Sequence, residues 1–161
     1  MDDLVACCVG EESSLLTWLF DRGARVNERT VRNAAVGPTS IPTMAMLIEK
    51  CGLAPLTNQG ALQFAAYYGK LDMVQFLLDA GAGIDDISPE QDIREGGPYT
   101  ALYEAVRGQR VDIVRFLLDR GAKVNIACRG DETALQAATR LGYREIVELI
   151  EEKKKSPRYP V

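Results

Sequence analysis

The chain has 161 residues, nearly half of them apolar, and a formal net charge of −4. That suits one globular domain or one short repeat array with an ample core, and the acidic balance argues against a nucleic-acid surface, which carries a basic excess. No run reaches the roughly 18 apolar residues of a membrane span, Asp2 and Asp3 replace the basic-then-apolar opening of a secretion signal, and there is no histidine, which removes the commonest proton shuttle and metal ligand near neutral pH.

Along the chain one unit recurs: a short helix, a tight turn, a longer amphipathic helix and a connection. The string LFDRGA at Leu19–Ala24 returns as LLDAGA at Leu77–Ala82 and as LLDRGA at Leu117–Ala122. Taking Asp2, Thr30, Gly60, Thr100 and Thr133 as unit starts gives spacings of 28, 30, 40 and 33 residues, a range that marks a solenoid.

The first unit, about 2–29, pairs a short helix carrying Cys7 and Cys8 with a longer one carrying Leu15, Leu16, Trp18, Leu19 and Phe20. The second, about 30–59, offers Ala35 and Val36, then Ile41, Met44, Met46, Leu47 and Ile48, with Pro42 in the tolerated first turn. The third, about 60–99, runs ALQFAAYYG from Ala61, then Leu71, Met73, Val74, Phe76, Leu77 and Leu78 at helical spacing. The fourth, about 100–132, repeats this as ALYEAVRG from Ala101 and Val111, Ile113, Val114, Phe116, Leu117 and Leu118. The fifth, about 133–155, has ALQAATRLG from Ala134, then Ile146, Val147, Leu149 and Ile150, and residues 156–161 are expected to form a short disordered tail. Small residues in mid-helix let neighbouring helices approach closely, and Gly23, Gly81 and Gly121 sit where a left-handed helix cap suits glycine. One helix pair cannot bury its apolar stripe, whereas stacked pairs can. The expectation is an all-α solenoid of about five helix-turn-helix repeats over 1–155 with one continuous core. Trp18 shares its phase with Met46, Phe76, Phe116 and Leu149, so this position is expected to be core.

The segments Thr100-Ala101-Leu102-Tyr103-Glu104-Ala105 and Thr133-Ala134-Leu135-Gln136-Ala137-Ala138, with the unit ends Gly23-Ala24-Arg25-Val26-Asn27 and Gly121-Ala122-Lys123-Val124-Asn125, resemble ankyrin repeats. That family opens on T-P-L-H-x-A-A and closes its second helix on G-A followed by an asparagine. The resemblance covers roughly residues 2–155. Alanine replaces the family's proline at Ala61, Ala101 and Ala134, and Val5, Asn33, Gln63, Tyr103 and Gln136 occupy its histidine position. Only the connection from Gly121 to Thr133 has ordinary length; those after Gly23 and Cys51 are too short for a full β-hairpin finger, and the one after Gly81 is about seven residues too long. Such irregular hairpins are similar to those of divergent ankyrin proteins of fungi.

No catalytic constellation emerges. Without histidine, a Ser-His-Asp or Cys-His set is impossible, and Gly81-Ala82-Gly83 lacks the strand-to-helix context of a phosphate loop. The acidic residues Asp85, Asp86, Glu90, Asp92 and Glu95 lack calcium-loop spacing and read as a solvated connection; Lys153–Lys155 compensate a helix end. The four cysteines, Cys7, Cys8, Cys51 and Cys128, show no metal spacing and fit reduced thiols of a cytoplasmic protein, the nucleus being the other setting. Catalytic residues, metals and cofactors are therefore expected to be none.

The tyrosines carry the functional reading. Tyr67 and Tyr68 end one short helix, Tyr99 precedes the next unit, and Tyr103 lies on that unit's first helix; Arg107 and Arg140 share the phase of Tyr67. The ankyrin resemblance implies that these phases face the concave groove or the loop tips. Exposed tyrosine gives large contact area at low entropy cost, so Tyr67, Tyr68, Tyr99, Tyr103, Arg107 and Arg140 are the candidate partner-binding residues, with Tyr103 alternatively structural in the histidine slot. The long connection Ile84–Pro98, which adds little to the core, is expected to project beside them as a specificity element. The expected function is a non-enzymatic protein–protein interaction module, monomeric on its own, binding another protein rather than nucleic acid or membrane. The alternative is a small-molecule binder or unconventional enzyme using Tyr67, Tyr103, Glu104, Arg107 and the acidic loop, which requires a deep closed pocket. A third reading is an adaptor domain of a longer chain.

Overall fold

A computed structural model of the protein describes residues 18–37, 40–87 and 99–155. Expectations resting on residues 1–17, on 88–98 of the long connection and on the 156–161 tail lie outside the described residues. After a last helical turn at 18–21 come α1 (Glu28–Val36), α2 (Ser40–Cys51), the single-turn α3 (Ala54–Thr57), α4 (Ala61–Tyr68), α5 (Leu71–Asp79), α6 (Ala101–Arg107), α7 (Val111–Asp119), α8 (Ala134–Leu141) and α9 (Arg144–Lys155).

The helices form two layers. The inner helices α1, α4, α6 and α8 lie side by side, and the outer helices α2, α5, α7 and α9 pack behind them, each against its own partner. The inner layer contributes small residues such as Ala35, Ala65, Ala66, Ala105 and Ala138; the outer layer contributes Leu47, Met73, Leu77, Ile113, Leu117 and Ile150, all buried. One core cluster runs from Val31 to Ile150, so burial is continuous along the stack.

Local chemistry sets where each helix starts. Thr100 accepts a hydrogen bond from the Tyr103 amide (3.2 Å), and Thr133 forms a capping box with Gln136, as their places at unit starts predict. Thr30 differs. The Asn27 carboxamide accepts from both the Thr30 amide (2.9 Å) and its hydroxyl (3.0 Å), so α1 begins a turn earlier and Thr30 is buried inside that turn. Asparagine is at least as good a cap as threonine, and the connection after Gly23 holds too few residues to form a hairpin instead. After α2 the left-handed residue is Gly52 (φ +80°), and Cys51, the last helical residue, donates its thiol to the Leu47 carbonyl. In the short connection that follows, α3 places Leu56 in the core. Among the described residues, only the connection before α8 shows a hairpin trace, an antiparallel bridge between Ala127 and Thr133 around a 3-10 turn, Arg129–Asp131.

Trp18 departs from expectation: it is 49 % exposed. Its counterparts Met46, Phe76, Phe116 and Leu149 are only half-buried, and the core position is the next residue, Leu19, Leu47, Leu77, Leu117 or Ile150. The aromatic position lies on the flank of the outer helix, where a guanidinium four residues later covers the ring: Arg22 over Trp18 (3.8 Å to the centroid) and Arg120 over Phe116 (5.1 Å). Because Trp18 is the chain's one tryptophan, native emission is expected to be red-shifted and readily quenched by iodide, and Arg22→Ala should increase the quenching further. Blue-shifted emission resistant to iodide would place the ring in a core.

Candidate functional site

The candidate residues lie along the inner helices, and the helix ends bring most of them into one chain of contacts. Tyr67 and Tyr68 close α4 edge to face, with ring centroids 5.1 Å apart. Tyr99, ahead of the cap of α6, stacks on Tyr103 with centroids 4.9 Å apart and planes 3° from parallel. Arg107, at the end of α6, bridges the two pairs: its guanidinium lies 5.4 Å from the Tyr67 centroid and 5.0 Å from that of Tyr99. Arg140, at the end of α8, joins through a residue that the sequence reading did not single out. Glu132 accepts a fork of hydrogen bonds from Arg140 (2.7 and 3.1 Å) and one from the Tyr103 hydroxyl. The array runs Tyr68–Tyr67–Arg107–Tyr99–Tyr103–Glu132–Arg140.

Exposure divides this array. Tyr68 is 41 % exposed, Arg140 is exposed, and Tyr67 and Arg107 are half-buried. Tyr99 and Tyr103 are not the exposed rings expected: 9 % and 4 % of their surfaces remain accessible. Tyr103 fills the histidine position of the family pattern and turns its hydroxyl to Glu132 in the connection that closes its own unit, the structural role held open for it in the sequence. Glu104 is also buried and pairs with Arg107 at 2.8 Å. The surface layer is thus Tyr67, Tyr68, Arg107 and Arg140, laid over Tyr99, Tyr103 and Glu104.

The electrostatics follow from these contacts. Burial, reinforced by the Glu132 carboxylate at its hydroxyl, holds the Tyr103 phenol above its ordinary pKa of 10.0. Hydrogen bonds from Arg140 first, and then from Tyr103, hold Glu132 below the usual carboxylate range. At Arg107 burial works against the charge, but the attraction and hydrogen bond of Glu104 outweigh it and keep the guanidinium protonated. The signs fix a pH profile. A phenol raised by folding contributes stability that is present below about pH 10 and lost as the pH climbs towards its folded pKa; a carboxylate lowered by folding contributes above about pH 4.5 and loses this as the pH falls through its folded pKa. Urea unfolding at successive pH values should show a plateau between, and Tyr103→Phe should flatten the alkaline decline while costing roughly 1.5–3 kcal/mol at neutral pH for the lost hydrogen bond to a charged carboxylate. An unchanged alkaline slope in this variant would detach Tyr103 from the effect.

The long connection is tied down where it begins. Gln63 Nε2 donates to the Asp86 carbonyl (2.8 Å), the Asp86 carboxylate accepts from the Gly83 amide (3.1 Å), and Asp85 accepts from the Lys123 amide (2.9 Å). Removing residues from Ile84 onward would therefore break contacts with α4 and with the following unit, contrary to the free element expected. Whether the rest projects beside the tyrosines concerns residues outside those described.

At the α1–α4 end of the face, Arg32, Asn33, Val36, Gly37 and Tyr68 line an open depression of about 360 Å³. Among the described residues no group of three or more carboxylates or thiols is placed to hold a metal ion, and no helix is long and apolar enough to cross a membrane. Burial pushes the thiols of Cys51 and Cys128 up, away from the reactive thiolate.

Two layers of paired helices, with the inner α6 and α8 opening on threonine caps and a left-handed glycine following the outer α2, α5 and α7, define an α-helical repeat solenoid. A family profile described as ankyrin repeats in three copies matches residues 86–158, and one described as a single ankyrin repeat matches residues 57–88; the chain belongs to the ankyrin-repeat family. Ankyrin repeats generally serve as protein-interaction modules and are typically not enzymes. No curated protein matches the chain.

Proposed function

We propose that the chain is a non-catalytic binding module that holds a segment of another protein against the inner-helix face, with Tyr67, Tyr68, Arg107 and Arg140 as the contact layer and Tyr99 and Tyr103 as its rigid support. The observation that carries this is the ring-and-guanidinium array, which spans three stacked helix pairs and leaves Tyr68 and Arg140 open to solvent. Tyrosine and arginine are the residue types that most often dominate binding energy. Here their rotamers are held by neighbours before any partner arrives, so little entropy is lost on association. The described depression is open rather than enclosed, which suits a macromolecular partner better than a sequestered small molecule. The chain would act as a monomer, and its free thiols Cys51 and Cys128 fit a reducing compartment, the cytoplasm or the nucleus.

The test is site-specific photocrosslinking in native extract. Benzoylphenylalanine at Tyr68 or Arg140 is expected to trap a common protein, whereas the same probe at Arg115, exposed on the outer helix α7, should not. With that protein purified, Tyr68→Ala should weaken binding by about 1–3 kcal/mol in calorimetry with the fold retained. Crosslinks confined to the outer helices would move the site to the convex face.

A further inference from the structure

The Tyr68 end of the inner face differs in charge from the rest. Further along, each cation in the array already has its carboxylate: Arg107 has Glu104 at 2.8 Å and Arg140 has Glu132 at 2.7 Å. At the Tyr68 end, among the described residues, Arg32 and Arg110 have none. Arg32 lines the depression, and its guanidinium lies 5.9 Å from the Phe64 centroid. Arg110 comes from the other side of α4: it passes across Gly69 and donates to the Tyr67 carbonyl at 3.1 Å, which satisfies one N–H and leaves its charge uncompensated. Asp72, in the first turn of α5, accepts from the amide of Met73. Two cations without carboxylate partners thus flank an exposed tyrosine and a depression with an apolar wall, Val36, on a chain whose net charge is negative.

We infer that this end receives an acidic peptide segment of the partner, one apolar side chain seated in the depression against Val36 and Tyr68 and carboxylates on either side of it reaching Arg32 and Arg110. The inference rests on the inner face being the binding surface and adds the chemistry of what binds there. Charge complementarity selects the occupant: a basic or neutral segment would leave both guanidiniums covered and unpaired, at a desolvation cost that a carboxylate offsets. The pairing sets orientation as well, because a planar guanidinium accepts a carboxylate in a fork.

The test selects from a displayed library of random dodecapeptides on the full chain, then maps the enriched peptides by amide chemical-shift perturbation. Expected are peptides with Asp or Glu flanking an aliphatic or aromatic residue, shifting amides of Arg32–Gly37 and Tyr68–Lys70. Arg32→Glu should weaken them at least about tenfold, and Arg110→Gln, which keeps a donor for the Tyr67 carbonyl, should weaken them less; both variants must keep the wild-type melting temperature and helical circular dichroism. Peptides that map to this end without an acidic bias would overturn the inference and leave the binding face standing. Peptides that map to the outer helices, or a failure to enrich any, would overturn both. Displacement of the acidic peptide by single-stranded oligothymidine at equal concentration would also overturn it, since the surface would then be a general polyanion site.

Discussion

Leu117→Ala is expected to destabilise the stack by about 2–5 kcal/mol, the range for truncating a fully buried leucine whose surroundings cannot collapse around the void. Leu117 is fully buried on α7, which packs against α6, α5 and α9. The neighbouring Phe116 carries more carbon yet should matter less. It is half-buried on the helix flank with Arg120 across its outer face, so Phe116→Ala loses only part of its area and the void opens to solvent; about 1–2 kcal/mol is expected. Urea denaturation followed at 222 nm measures both. A larger loss for Phe116→Ala than for Leu117→Ala would reverse the assignment of the core-facing side of the outer layer.

That inversion marks how far a one-dimensional pattern reaches. Apolar spacing revealed which helices pair, which layer carries small residues and which carries large ones, because those facts follow from period and residue size. It did not separate adjacent apolar positions such as Trp18 and Leu19 or Phe116 and Leu117: both fall within the wide apolar stripe of a helix, and side-chain bulk points to the wrong one. The caps show the same limit. Thr100 and Thr133 were legible because each opens its helix after enough chain to form a proper turn. Thr30, a unit start of the same residue type, does not cap its helix, because Asn27 stands one turn upstream and takes the same amides. Ahead of α4 no capping side chain exists at all; Gly60 holds the position in a left-handed conformation.

The candidate site was legible as residue types and phases but not as layers. Tyr67, Tyr68, Arg107 and Arg140 occupy the ends of inner helices, and helix ends repeat with the unit. Tyr99 and Tyr103 carry the same residue type, but an amphipathic ring gives no sign of its burial until its partners are in place. Glu132 was invisible for a different reason. Its bond to Tyr103 spans 29 residues within one unit and its bond to Arg140 crosses into the next, and no local spacing encodes either. Its position does have a logic: it stands immediately before a capping threonine at the close of a connection with a hairpin trace, which carries it back to the Tyr103 hydroxyl at the start of its own unit. Arg110 likewise reads as an ordinary charged turn residue until Gly69 is seen to leave space for its side chain to cross.

Gly108→Ala is the second substitution expected to have a large effect, and its sign is diagnostic. Gly108 has φ −76° and ψ −2°, a conformation that alanine adopts readily. On backbone grounds alone the change would stabilise by about 0.4–1 kcal/mol, by restricting the unfolded chain. Space decides otherwise. A Cβ at this position would lie 2.3 Å from the Tyr67 carbonyl oxygen and 3.1 Å from its carbon. Both belong to the backbone of α4, so no rotamer change relieves the clash, and α6 must move away from α4. The expected cost is about 2–3 kcal/mol, at the upper end for overpacking a well-packed interface. The adjacent Gln109 is the control: it takes the left-handed position with φ +55°, where Gly69 and Gly142 stand in neighbouring units, so Gln109→Gly should be neutral or stabilise by up to about 1 kcal/mol. Opposite signs at two adjacent residues, read in one series of thermal melts, would separate close helix approach from backbone strain. The displacement should also reach the proposed binding face, because the Tyr67 carbonyl that Gly108 approaches is the acceptor that holds Arg110. A stabilised Gly108→Ala protein would mean that α4 and α6 do not approach this closely, and the placement of Arg110 beside Tyr68 would fall with it.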